Sequence, residues 1–571
     1  MGETGASVAG WRSRQGQEWL GCKGPANEVG HAGLAMRKSG FCQKQSTATS
    51  PFARIAICLL PLIMIFINSR GGIRGALGAA PADTANAKSG SETVSKTGNP
   101  QVAEFSLSLP AGASAIVQFG LTAAYGFETS SLAAPPKGGR VNFLVAGMLA
   151  HTTYHMRSLV TDSDASQQVG DDHTFVTGGL PPKRIPDASV VQTGTPNPGI
   201  ELLDLVPLVS SQLHTIHTAA TDLSGNLIWY YDPPSESYAF PIKLLPNGQM
   251  MLVVVPLNKN GFQGIREIDL AGRTISQLSV GNLNNQLKAA RIPWRAVVMH
   301  HDFLTLNNGH LILLVQSNKT FNNLPGYPGK TNVIGDGLVD LDVKQNVAWT
   351  WLSFNYLDVN RHPLNFSQTD PDWTHSNALI YSPDDGDLIL SMRDQDWVIK
   401  IDYENGKGDG HIIWRLGPGG DFTLQPPAVD PTDWNYGQHY PTIVSPNSSG
   451  TFDLGLMDNG SGRVINGQVC GTSGGPACYS RAVIFQLDEQ QMTATVIWQD
   501  SPLKYSLCCG NTEVLDNGDI EFNLAFTMPA MVEQVTSDVS PSPVWQMTIP
   551  GQVPYRAFRL PSLYPNVQWG E

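Results

Sequence analysis

Charge is scarce in this chain: Asp, Glu, Lys and Arg make up 15% of its 571 residues, and the balance is acidic, at -13. No run of clustered Lys and Arg stands out, which argues against a nucleic-acid partner, because binding a phosphate backbone needs concentrated positive charge. Any anion bound here must find its cations locally. Cysteine is sparse too, seven in all and none in a C-x-x-C pair, the element a structural zinc site wants. A G-x-x-x-x-G-K-[ST] phosphate loop is missing, which counts against a nucleotide donor bound in that way. Long apolar runs are also absent: "IAICLLPLIMIFI", Ile55 to Ile67, has 13 residues, against about 20 for a membrane-spanning helix.

That run suits the hydrophobic region of a signal peptide instead. Arg37, Lys38, Lys44 and Arg54 precede it and the small residues "GALGAAPADTANA" follow. Residues 1–87 therefore read as an N-terminal extension with a signal peptide, or a retained membrane anchor, and the expected location is periplasmic or extracellular. Initiation at Met36 would shorten an unusually long leader, while Arg70 and Arg74 behind the run favour the anchor. Cys22, Cys42 and Cys58 would leave with the signal. Of the four cysteines that remain, Cys470 and Cys478 are placed to close a small loop in an oxidising compartment. Adjacent Cys508 and Cys509 read either as a vicinal disulfide or as two buried thiols.

What the chain has in quantity is glycine (57), proline (40) and apolar residues (41%), the profile of many short strands joined by tight turns. The length exceeds what one hydrophobic core organises. Residues Ala80 to Asn99 are small and polar and read as a linker. From Gln101 to Thr177, strands such as "AIVQFGLT", "VNFLVAGM" and "TYHMRSLVTD" predict a seven-stranded sandwich over residues 100–178, similar to the fibronectin type III pattern in "LAHTTYHMR". "GGLPPKRIP" then makes a hinge.

From residue 190 to 571 the chain repeats itself. Turn-bearing strand pairs recur as "KLLPNGQMMLVV" (243), "FLTLNNGHLILL" (303), "ALIYSPDDGDLIL" (378), "TIVSPNSSGTFDLGL" (442) and "EVLDNGDIEFNL" (513). Second pairs ending near Trp lie between them, as in "LVDLDVKQNVAWTWL" (338). Each unit reads as a four-stranded antiparallel sheet, so the chain is predicted to be all-β: a six-bladed propeller, its last blade closed by strands from both ends, behind a small sandwich.

Aligning the units on their turns sets His300 of "HHD" against His375 of "HSN", Asp302 against Asn377, and His439 of "QHYP" at the equivalent place in the next unit. A single histidine at a strand end is ordinarily a satisfied polar residue. Three at equivalent places in a chain with 13 histidines are harder to assign to chance. Arg393 in "SMRDQDW" belongs to the same unit as His375; its plain role is an ion pair with Asp394 or Asp396, and its functional role is a fork for a tetrahedral oxyanion. The imidazoles with Asp302 could instead ligate zinc or iron. An arginine among the ligands would repel a cation, so the reading is an anion site with no metal and no cofactor. His214 and His217 read as structural.

The stretches "HHDFLTLNNGHLILL", "DWTHSNALIYSPDDGDLILSMRDQDWVIKIDYENG", "QHYPTIVSPN" and "SRAVIFQLDEQQMTATVIWQ" together resemble the bacterial PAPS-independent arylsulfotransferase family, over roughly residues 190 to 560. The resemblance implies sulfuryl transfer from an aryl sulfate to a phenol through a sulfohistidine, in a protein that is usually exported and often dimeric. It makes His439 the nucleophile and puts His375, Asn377 and Arg393 on the sulfuryl oxygens, with either His300 or His301 completing the set. Trp373, Trp397, Trp434 and Tyr436 lie beside these motifs, able to stack an aryl ring or simply to pack the core. The C-x-P-x-R signature of formylglycine sulfatases is missing, as "CCGNTE" shows. Two rival readings remain: a non-catalytic binding propeller, and a quinoprotein-type dehydrogenase suggested by the adjacent cysteines. The insertion from Ser317 to Val333 reads as a loop, either a mobile lid or idle.

Overall fold

The structure, a computed structural model, describes residues 91–180, 187–207, 216–233, 237–256, 261–362 and 371–569. The apolar run at 55–67, the three N-terminal cysteines and His214 lie outside them. No helix among the described residues is long and apolar enough to cross a membrane.

The described chain is nearly all β, as its composition predicts, with one α-helix at Val280–Ala289. Strands begin earlier than expected: Thr93–Lys96, within the predicted linker, pairs antiparallel with Ala103–Leu109, Val94 opposite Phe105. Gly139–Val145 completes that sheet, and a second forms around Ser114–Gly120 and Thr153–Thr161. Alternation drives both. Phe105, Leu107 and Leu109 point inward from one sheet, and Val117, Phe119, Tyr154 and Met156 do so from the other, in one shared core. The Tyr154 hydroxyl accepts a hydrogen bond from Leu149 N at 3.0 Å and pins the corner before its own strand.

The C-terminal tail is built into this unit. Trp569 packs edge-on against Phe119 and Phe127, and the Tyr564 hydroxyl donates to Leu144 O while accepting from Ala146 N, each at 2.8 Å. Gly147 makes room for Trp569: its φ is +93°, and a Cβ there would lie 2.3 Å from the indole. Gly147→Ala combines a left-handed backbone with overpacking and is expected to cost about 1–3 kcal/mol. Thermal unfolding of the purified chain checks this.

Beyond residue 188 six sheets of four or five strands follow, with a two-stranded ribbon at Val464–Ile465 and Gln468–Val469. Three run in simple chain order, for example Ser376–Ser382, Asp387–Met392, Trp397–Ile401 and Ile412–Leu416, and a fourth, from His439–Ser448 to Thr493–Leu503, adds Thr423–Leu424 in parallel at its far edge. The other two involve the segment ends: Gln552–Leu560 pairs with Ile200–Pro207 in the first sheet, and Ser189–Gln192 pairs with Pro543–Ile549 in the last. Both ends therefore lock the array, but in different sheets rather than in one. Buried Arg559 ties the first sheet to the last, with its Nε on Glu201 and its Nη2 2.8 Å from Glu521. The leading strands of neighbouring sheets touch in turn: Val298–Thr305, Ser376–Ser382, His439–Ser448, then Thr512–Val514.

The expected loop at Ser317–Val333 is a hairpin instead. Strands Leu311–Leu324 and Tyr327–Leu341 run on past the sheet, with Ser317 opposite Gly335 and Asn322 opposite Lys330, and after a register shift Leu324 pairs with Tyr327. Backbone pairing takes the place of the predicted irregular chain. Cys470 and Cys478 form a disulfide, as their spacing suggests.

Candidate active site

Three leading strands break register where their histidines fall. The pairing shifts between Met299 and Phe303, between Ser376 and Ala378, and between His439 and Thr442. A positive-φ residue other than glycine lies at or next to each break: His301 at 53° and Tyr440 at 41° within it, and His375 at 44° just before it. An L-residue occupies that region only when its surroundings force it, and an irregularity of this kind re-aims the neighbouring side chains. By this criterion His375 corresponds to His301, one residue later than the turn alignment places it.

The result is a cluster of four imidazoles. The His301 ring lies 4.9 Å from His300, 5.0 Å from His375 and 5.7 Å from Tyr555, and the His439 ring lies 6.3 Å from Tyr555. His300 and His301 are both buried, so neither turns to solvent. His375 is the most open of the four, at 23% exposure.

Second partners fix the protons. Asn459 Nδ2 donates to Ser506 O and Cys509 O, each at 3.0 Å, which orients the amide so that Oδ1 faces His439 Nδ1 at 2.7 Å. An oxygen there accepts, so His439 carries its proton on Nδ1. Asp336 Oδ1 lies 3.2 Å from His300 Nε2, and His300 Nδ1 meets His301 Nδ1 at 2.7 Å. The other Asp336 oxygen accepts from Thr374 Oγ1 and Ser376 N, the two neighbours of His375. His375 Nδ1 in turn lies 2.7 Å from Asp372.

Electrostatics separates the imidazoles. Burial works against charge on His375, but Asp372 outweighs it, with help from Asp394 and against Arg393, and the pKa rises to about 9. His301 moves the other way: burial first, then His300, His375, His439 and Arg556, hold it well below the usual imidazole range. At neutral pH the cluster thus pairs a charged His375 with a neutral His301. Arg393 N donates to His375 O at 3.2 Å, and its buried guanidinium pairs with Asp394.

The other predicted site residues are placed differently. The Asp302 carboxylate is buried between Lys243 Nζ at 2.6 Å and Arg556 Nη2 at 3.3 Å, and it accepts from Leu379 N. Burial opposes its ionisation, yet Arg556 and Lys243 keep its pKa below the usual carboxylate range. It is a strut beneath the histidines. Asn377 Nδ2 donates to Gln438 O at 2.7 Å and so reaches the residue before His439. Trp373 stacks on Phe354 and Tyr436 hydrogen-bonds Pro431 O, both buried; Trp434 stacks on Phe485 and Trp397 lies under Arg361. The rings that meet the imidazoles are Tyr555 and Phe240, which lie 5.1 Å apart. Sequence reasoning missed both, together with Asn459, Asp336 and Arg556. Only Asn459, in "DNG", had a signal, because it directly follows Thr451–Asp458, the strand that pairs with His439. Among the described residues, Asp402, Asp409 and His411 group three metal-donor atoms within 4.8 Å, on a half-exposed to exposed turn.

Fold and site define an all-β protein whose successive leading strands bring histidines into one cluster. The chain belongs to the arylsulfotransferase (ASST) family, whose model matches residues 191–556. Membership indicates a sulfotransferase enzyme with small aryl donors and acceptors. No curated protein matches the chain. Among solved structures, an ACO/RPE65 chimera in a monoclinic crystal form matches at 13% identity and TM-score 0.24, over 82% of this chain and 95% of that one. The cobalt-substituted ACO of Synechocystis matches at 11% and 0.16, over 75% and 62%. Likenesses this loose carry no argument.

Proposed function

We propose that the protein moves a sulfuryl group from an aryl sulfate ester to a phenol by double displacement, with His439 as the covalent carrier. The observation that carries the reading is the Asn459 contact: with the His439 proton held on Nδ1, attack on sulfur falls to Nε2. As the N–S bond forms, the aryl O–S bond breaks and His375, charged at neutral pH, gives its proton to the departing phenolate. The incoming phenol returns a proton to His375 while its oxygen takes the sulfuryl group from His439. Arg393 and Asn377 belong to the same reading as groups that hold the sulfuryl oxygens, in the manner of other group transfers that depend on fixed positive charge. His301, neutral, lines the same space, with Asp336 and His300 behind it.

The six sheets, in this reading, are six propeller blades; the succession of contacts between leading strands supports it. The residues 93–176 unit is taken as a fibronectin type III-like domain on the strength of its two-sheet core and the Tyr154 corner. Export with signal cleavage or anchoring, and a homodimer, complete the proposal.

Intact mass after rapid mixing with a chromogenic aryl sulfate, without acceptor, tests it. A gain of one sulfuryl group that phenol discharges is the expected result; phenolate release with no adduct at any time would sink the covalent route.

The charge state of His375 makes a second prediction. Because its folded pKa is raised above the ordinary 6.5, its stabilising ion pair is complete below that value and is lost as pH rises through about 9. Turnover should fall over the same alkaline interval as the acid loses its proton. Asp372→Asn should shift this limb toward the ordinary imidazole range, and the pH profile of kcat for both proteins is the check.

A further inference from the structure

Directly behind His439 lies a group that the proposed chemistry does not use. Cys508 and Cys509 are adjacent in sequence, both are buried, and their sulfurs meet at 2.7 Å. Cys509 has φ +70°, a left-handed backbone that a residue with a side chain adopts only under constraint. The backbone around the pair is tied on several sides. Cys509 O accepts from Asn459 Nδ2 at 3.0 Å, Cys508 O accepts from Ser506 Oγ at 3.2 Å, and Gly510 N donates to Tyr555 O at 2.9 Å. The pair shares a core cluster with Tyr555, Phe240 and Met299. It therefore touches both Asn459, which holds the His439 proton, and Tyr555, whose ring lies against His439 and His301.

We propose that Cys508 and Cys509 are a dithiol modification site that closes to a vicinal disulfide, and that this small ring fixes the Cys509 carbonyl that orients Asn459 and so His439. The inference rests on the His439 reading for its functional consequence, but not for the bond itself. The oxidant is a thiol–disulfide carrier. One cysteine thiolate attacks the carrier disulfide and expels its first thiol. The neighbouring cysteine then attacks the mixed disulfide, forming the S–S bond between Cys508 and Cys509 and releasing the second carrier thiol. Two electrons and two protons pass to the carrier. Because both sulfurs are buried in the folded chain, closure belongs to folding.

Peptide mapping of the purified full chain tests the bond. The protein is unfolded in N-ethylmaleimide without reductant, digested with trypsin and weighed, with a reduced sample in parallel. The peptide holding both cysteines is expected to stay unlabelled and lighter by two hydrogens, and to take two labels only after reduction; two labels without reduction overturn the proposal. The link to His439 is read by NMR of histidine-labelled protein, as the Nδ1–H resonance of His439 in the oxidised chain and in the chain refolded under reductant, whose reduction the same peptide mapping verifies. The C508S/C509S variant, which keeps the Cys470–Cys478 disulfide, is the control. A resonance that moves on reduction in the natural protein and not in the control is expected, and an unmoved one overturns the link. Neither readout depends on turnover, so loss of the sulfohistidine reading would be seen separately, as an absent sulfuryl adduct with the disulfide intact.

Discussion

Replacing His439 with alanine is expected to lower kcat by at least about 10⁴ and to abolish the covalent sulfuryl adduct, because a double displacement without its carrier loses both half-reactions. Single-turnover phenolate release from a chromogenic aryl sulfate, with intact mass on the same samples, measures both quantities. Asn459→Ala separates carrier from positioner. It leaves the imidazole in place but removes the oxygen that holds its proton on Nδ1, so the adduct should still form, only more slowly. An adduct of undiminished yield in His439→Ala would transfer the carrier role to His301 or His375, the other rings of the cluster.

Asp302→Ala is expected to destabilise the fold by about 3–5 kcal/mol, the usual cost of removing one partner from a buried ion network. Lys243 and Arg556 would be left without the carboxylate between them, and Arg556 also donates to His301 O and Asn377 O, at 3.0 and 2.7 Å. The damage should therefore reach two of the strands that carry the histidines. Denaturant unfolding gives the stability, and KM gives the alternative. Were Asp302 a substrate ligand, as its place in "HHD" suggests, the variant would unfold at the natural midpoint with a raised KM.

His439 and Asp302 stand at related places in the repeating pattern, yet one is the proposed carrier and the other is held in a buried ion network. Turn signals such as "LNNG" and "LDNG", with alternating strands around them, marked the repeating sheets, because hairpin turns demand particular residues locally. Histidines at like places in successive units were visible for the same reason. The difference between His300 and His301 was not. It depends on a register break with positive φ at His301, which packing imposes and no residue type announces. Trp373 and Tyr436 stood beside the right motifs, yet their rings pack away from the imidazoles, while Tyr555 and Phe240 come from remote strands. At Ser317–Val333 the Gly and Pro content predicts a loop, because the pairing that makes this segment a hairpin is supplied only by the partner strand.

By itself the sequence determined the all-β class, the repeating sheets, the candidate histidines and the resemblance to the family, since each is written in short-range periodicity or in short motifs. Tertiary structure alone decided which nitrogen of His439 holds its proton, which histidine is charged, and that Asp302 braces the site from below. Those properties come from burial and from partners far apart in the chain: His439 meets Asn459, Asp302 meets Lys243 and Arg556, and Asp336 meets His300. Desolvation and close opposite charge set protonation, and both exist only once the sheets have packed.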